Sequence, residues 1–186
     1  MKDRRRQILR AAEQVFAENG YAQSSITAIA KAAGVTRPTI YSYFESKYEI
    51  LEMIAEQVRD EILHAQEQAI GDPVTILRDT TKLGLHQWVT HLEVLTVIEH
   101  EALSDAQLAR LIEDVTARSG HRHRQFIDKL AEDGLASPLV SPEEIDLIYI
   151  GTKIRLAQIV AREPEREAEC ADILFRTLKA LINFHD

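Results

Sequence analysis

Apolar residues recur along the chain at intervals of three and four, and nowhere does a strand-like alternation or an internal repeat take over. Ile8, Leu9, Ala12, Val15 and Phe16 make the first such face and Asn19-Gly20 supplies its stop, which predicts a helix from about residue 3 to 19. Ser24-Ser25 precede a short second helix with Ile26, Ile29, Ala30 and Ala33 on one side and Gly34 at its end. Thr36 is placed to cap a third helix, Arg37 to Phe44, in whose first turn Pro38 costs no hydrogen bond. Ser46-Lys47-Tyr48-Glu49 spells a capping box and opens a fourth helix that runs to about Ile70.

Start signals continue through the rest of the chain. Asp72-Pro73 repeats the cap-plus-proline pattern, and Ser104-Asp105-Ala106-Gln107 and Ser141-Pro142-Glu143-Glu144 are two further capping boxes. Leu108, Ile112, Val115, Phe126 and Leu130 stay in phase, so one long helix is expected over about 105–134, with Gly120 the place for a bend or a break. Glu163-Pro164 separates two last helices, roughly 142–162 and 165–184. Apolar residues occupy nearly every azimuth of both. An all-α fold of about nine helices follows, with a three-helix head (1–46) and a larger helical body (47–186).

A helix facing water on one side would be striped, so these last two helices require burial on two sides. A deep monomeric core would supply it. The chain's own core plus a symmetry mate suits a domain this small better, and the homodimer expected on that ground places Ile148, Ile154, Ile159, Leu174, Leu178 and Leu181 at the interface.

Composition narrows the classes. The 186 residues hold seven glycines and five prolines, where average usage would give about 22 of the two together, in keeping with long elements and few turns. One cysteine, Cys170, excludes an intrachain disulfide and a cysteine-built metal cluster. No apolar run approaches a membrane span and the first residues lack a signal-peptide core, so a cytoplasmic protein is expected. The net charge is −8, yet residues 1–50 hold eight Lys and Arg against five acids, which leaves −11 on the remainder. A basic head on an acidic body is the result.

That head has the two-helix spacing that lays one helix into a DNA major groove. Ile40 and Phe44 can pack on Ile26, Ile29 and Ala30, which turns Arg37, Thr39, Ser42 and Tyr43 outward. Arginine can pair with guanine, threonine and serine can reach bases, and tyrosine and lysine can reach phosphates. The basic arm Arg4 to Arg6 is either a further phosphate contact or a solvated helix end. On spacing alone, two short helices with polar outer faces also occur in unrelated folds.

The stretch Gly20-Tyr21, Ser25 to Thr36, Arg37 to Phe44 and Ser46-Lys47 with Leu51 closely resembles the signature of the TetR family of transcriptional regulators. The resemblance covers about residues 8–52. It implies a DNA-binding head, a helical ligand-binding domain, and a homodimer on a near-palindromic operator. By the same resemblance Ser25 would contact phosphate and Thr27 would approach the DNA. Thr36, Arg37, Pro38, Thr39 and Ser42 would face the major groove, and Tyr41, Tyr43 and Lys47 would hold the backbone. Pro38 departs from the glycine or alanine that many members carry, without conflict with the first turn of a helix.

The double-stranded operator and an unidentified small-molecule effector are thus the expected partners, with no membrane and no cofactor. Trp88, His91 and Leu95 are expected on one face of the helix that begins at Pro73, and His123 and Phe126 on the inner phase of the long helix. These five are candidates for an apolar pocket with polar handles, although such residues are more often plain core. His121 and His123 beside Arg122 and Arg124 read as a solvated basic turn rather than a metal site. No phosphate-cradling loop, nucleophile elbow or paired-histidine motif points to an enzyme. A repressor released by a small molecule is the leading expectation, and a helical ligand-binding or interaction module without sequence-specific DNA binding is the alternative.

Overall fold

The computed structural model describes residues 2–67 and 70–185, with the side chains of residues 2, 65, 66, 115, 118 and 119 left aside. Nine α-helices follow one another among these residues: α1 (Lys2–Asn19), α2 (Ile26–Ala32), α3 (Arg37–Tyr41), α4 (Lys47–Glu67), α5 (Pro73–Thr90), α6 (Leu92–Ala102), α7 (Ala106–Glu132), α8 (Pro142–Val160) and α9 (Glu167–Leu181). A single 3₁₀ turn, Pro164–Arg166, joins the last two. The only extended pairing among the described residues is an isolated bridge between Ala136 and Phe184.

The chain divides into two compact units. One comprises residues 1–59 and 93–115, the other 60–92 and 116–186. In the first, α1 packs on α2 and α2 on α3, around Ile8, Ala12, Phe16, Ile29, Ile40 and Phe44, all essentially inaccessible to water. Gly20 and Gly34 sit at φ +74° and +61°, so each helix reverses through a left-handed residue that only glycine adopts without strain. In the second unit α5, α8 and α9 pack on one another around Leu77, Leu85, Trp88, Ile145, Leu156, Leu174 and Leu178.

The start signals explain the boundaries, with informative exceptions. Ser141 caps α8 through a complete capping box, its hydroxyl accepting from the Glu144 amide while the Glu144 carboxylate accepts from its own. Ser46 likewise accepts from the Glu49 amide at 3.0 Å, but the Glu49 carboxylate returns to the amide of Glu45. The end expected for this helix near Ile70 falls partly outside the described residues. At α7 the cap is Asp105, whose carboxylate accepts from the Gln107 and Leu108 amides, whereas the Ser104 hydroxyl bonds back to Glu101. A carboxylate one residue later competes better for the amides because it carries charge.

Two expectations need correction. The helix from Pro73 stops at Thr90, with His91 as its C-cap, and a new helix starts at Leu92, so Leu95 shares no face with Trp88. No glycine or proline announces that break. Residues 121–124 form no turn: α7 continues through Gly120, whose missing Cβ leaves room for the Asp146 carboxylate and the Arg124 guanidinium, at 3.2 and 3.3 Å from where that Cβ would stand. The glycine serves close packing against the helix rather than a bend.

Candidate functional site

The head builds its outer surface on a rigid support. Ser25 caps α2 by accepting from the Ala28 amide at 3.1 Å, and Thr36 caps α3 by accepting from the Thr39 amide and bonding the Thr39 hydroxyl at 2.9 Å. Ile40 and Phe44 point into the core, which leaves Arg37, Pro38, Tyr41 and Ser42 exposed and Thr39 and Tyr43 half-buried. Tyr41, 49% exposed, is a large aromatic side chain left open to solvent. Thr27, Thr36 and Ser25 are exposed as well. The Arg5 guanidinium lies 5.4 Å over the Phe44 ring, an anchor for at least one residue of the basic arm.

Lys47 is held differently from the other expected contacts. Its ammonium donates to the carbonyls of Tyr21 (2.6 Å), Ser24 (3.0 Å) and Ala22 (3.4 Å) and stands 4.2 Å over the Tyr21 ring. Burial lowers its pKa, with Glu101 opposing that shift. The side chain thus staples the start of α4 to the loop between α1 and α2 through charge-assisted hydrogen bonds.

In the second unit a buried polar cluster surrounds a cavity. Lys153, only 8% exposed, reaches from α8 to within 5.2 Å of the Trp88 ring centre and 5.3 Å of that of Tyr149. Among the described residues its ammonium has no hydrogen-bonded or ion-paired partner. Burial pushes it down to about 8, with the charge of Asp146 opposing that shift. Tyr149, stacked on His123 at 4.9 Å and bonded to Thr81, is pushed up to about 12 by burial. Burial raises the Asp146 carboxyl, but the bond and charge of His123 and those of Arg124 outweigh it, leaving the group below its ordinary range. His123 gives Nδ1 to Asp146 at 2.9 Å, and its Nε2 is buried with no partner.

The cavity beside these groups measures about 40 Å³ and is walled by Ile62, Gly84, Gly120 and Ile150 together with Thr80, His123, Asp146, Tyr149 and Lys153. A second, of about 160 Å³, shares Thr80 and His123 with it and adds Ile76, Phe126, Arg122 and Glu67. Of the five residues expected at a pocket, His123 and Phe126 line one. Trp88 is buried behind Lys153, and His91 turns instead to Glu61 at 2.9 Å. Leu95 belongs to the first unit.

Outside the cavity, α8 carries an uncovered apolar strip. Leu147 is 75% and Ile148 42% exposed, Gly151 meets nothing, and Ile154 and Ile159 are half-buried. Leu174 and Leu178, expected at an interface, are buried within the chain, and Leu181 is half-buried. The all-round apolarity of α9 therefore comes in large part from packing against α5 and α8.

Residues 8–54, the head and the start of α4, match the family described as bacterial regulatory proteins, tetR family. Over that segment the chain is similar to the TetR family. Similarity of sequence extends to the fatty acid metabolism regulator protein of Bacillus subtilis, 42% identical over 69 residues, covering 37% of this chain and 36% of that protein. The transcriptional repressor BepR of Brucella suis is 37% identical over 116 residues, 59% of this chain and 56% of BepR. The chain thus spans about a third to just over half the length of these two relatives. The Salmonella enterica GusR structure superposes with a TM-score of 0.81 at 22% identity, over 97% of this chain and 96% of GusR, which establishes a shared fold.

Lys153 and Asp146 carry the most unusual chemistry of the second unit, and sequence reasoning passed over both. The signal was weak: α8 carries five charged residues, Glu143, Glu144, Asp146, Lys153 and Arg155, of which only Asp146 and Lys153 are buried. Such a residue either snorkels to solvent or is buried for a reason, and only packing tells the two apart.

Proposed function

We propose that this chain is a homodimeric, DNA-binding transcriptional regulator of the cytoplasm, acting as a repressor that leaves its operator when a small molecule occupies the second unit. The observation that carries the reading is the outer surface of α3: Arg37, Pro38 and Ser42 are exposed on a helix whose opposite side, Ile40, is locked in the core. A guanidinium and hydroxyls on a rigid element suit base edges, while Tyr41, Tyr43, Ser25 and Thr27 suit the flanking phosphates. A helical module without DNA binding has no use for such a surface.

Reading a near-palindrome needs two heads about 34–36 Å apart. The strip formed by Leu147, Ile148, Ile154 and Ile159 supports an isologous dimer, with Leu181 at its edge and Leu174 and Leu178 backing it from within. The functional division is then a reading head, residues 1–46, and a sensing and pairing body, residues 47–186. Ile62 of α4 lines the cavity and Lys47 of the same helix is tied to the head's loop, so a ligand that moves one end of α4 biases the other.

Selection of bound duplexes from a random pool, followed by mobility shifts across a salt series, tests this. A recovered inverted repeat supports it. Equal affinity for every duplex, or none, refutes it.

A further inference from the structure

The ligand of this body is legible in its charges. The Lys153 ammonium, the Asp146 carboxylate and the His123 imidazole line the smaller cavity, and the Arg124 guanidinium pairs with Asp146 beside it. Asp146 is already consumed, one oxygen by His123 and the other by Arg124. Lys153 is left with ring faces alone. Buried charges in folded proteins are almost always paired, because removing an ion from water is repaid only by a counter-charge close by.

An unpaired ammonium at 8% exposure, lining a cavity, is therefore half of an ion pair. The buried Nε2 of His123, without a partner, is a second unmet hydrogen-bonding atom in the same wall. The second cavity, which shares Thr80 and His123 with the first, is lined by Ile76 and Phe126, side chains that suit an apolar body, with the Glu67 and Arg122 pair at its wall.

We infer that the second unit binds a small monocarboxylic acid, its carboxylate on Lys153, a polar atom within reach of Nε2 of His123, and its apolar part directed toward Ile76 and Phe126. One carboxylate supplies the counter-charge that the Lys153 ammonium lacks. This rests on the sensing role proposed above and specifies its effector class. Lys153 is the specificity residue, and it discriminates an acid from its neutral isostere because only the acid removes the uncompensated charge.

The test uses the full chain. Straight-chain acids from acetate to decanoate, benzoate and phenylacetate are compared with their primary amides by thermal shift and calorimetry, in chloride-free buffer, alongside sodium chloride and sodium formate. The expected result is at least one acid bound at least tenfold more tightly than its amide. That preference should be lost in Lys153→Met and kept in Lys82→Met, which alters an exposed lysine on α5. Absence of binding by every acid, equal binding of the amide, or unchanged affinity in Lys153→Met overturns the inference. So does stabilisation by chloride or formate equal to that of the best acid, because the lysine would then need only a counter-ion. The best acid is finally added to the complex with a selected duplex. Release supports both the site and the repressor mechanism. Lys153-dependent binding without release supports the site and overturns the coupling, and a chain that selects no duplex overturns the regulator reading while the acid measurements still decide the site.

Discussion

Replacing Lys153 by methionine should stabilise the unliganded protein. Methionine matches the length of the lysine stem and fills the same apolar channel beside Trp88 and Tyr149, so little packing is lost. What is removed is the cost of holding an ammonium away from water, which the fall of its pKa from 10.5 to about 8 puts at about 3 kcal/mol. Attraction to the two ring faces offsets about 1 kcal/mol of that, leaving a net gain of about 2 kcal/mol, or about 4–8 °C in Tm for a chain of this length. The groups around the ammonium are Asp146 and Tyr149 on α8, His123 on α7, and Trp88 and Thr80 on α5, with Arg124 held by Asp146.

The pH dependence carries the sign. Folding lowers the lysine's pKa, so between about 8 and 10.5 the unfolded chain binds the extra proton and the unmodified protein gains stability as pH rises. Below about 7 both states are protonated and the full penalty stands. The advantage of the methionine variant should thus be greatest near neutrality and shrink toward pH 10. Chemical denaturation at fixed protomer concentration, without added anions, measures it. A variant no more stable at pH 7, or a gap that does not narrow, would refute the argument that the ammonium is uncompensated.

Other consequences concern the head, the α8 strip and Gly120. Arg37→Ala should cost about 1–3 kcal/mol of binding at one operator position, measured against single-base variants, and equal losses on all duplexes would mean that it reads no base. Lys47→Met should lower the stability of the head by about 1–3 kcal/mol as three carbonyls lose a charged donor, besides weakening all duplexes alike, and unchanged thermal unfolding would contradict that staple. Ile148→Glu should convert a dimer to a monomer in light scattering while leaving secondary structure intact, because the side chain is exposed within the protomer; a persisting dimer places the interface elsewhere. Gly120→Ala should lose about 1–2 kcal/mol where an open helical glycine would gain, since its Cβ crowds Asp146 and Arg124, and a rise in Tm would show that the pair gives way freely.

Local chemistry decided the head. Caps at Ser25 and Thr36, the obligatory glycine at Gly34 and the inward spacing of Ile40 and Phe44 all lie within 20 residues, so near-neighbour sterics and hydrogen bonds suffice to specify a helical pair and its outer face. The same holds for α8, whose start is written in Ser141-Pro142-Glu143-Glu144. The break at His91 has no such local mark and depends on partners far along the chain, Glu61 for the ring among them. Nor could periodicity separate Leu174, enclosed by α5 and α8, from Ile148, left bare, since both sit on helices apolar all round. Lys153 is the extreme case. Its meaning arises only when Trp88, His123, Asp146 and Tyr149, drawn from three helices, close around it, because desolvation is a property of the assembled surroundings and not of the residue.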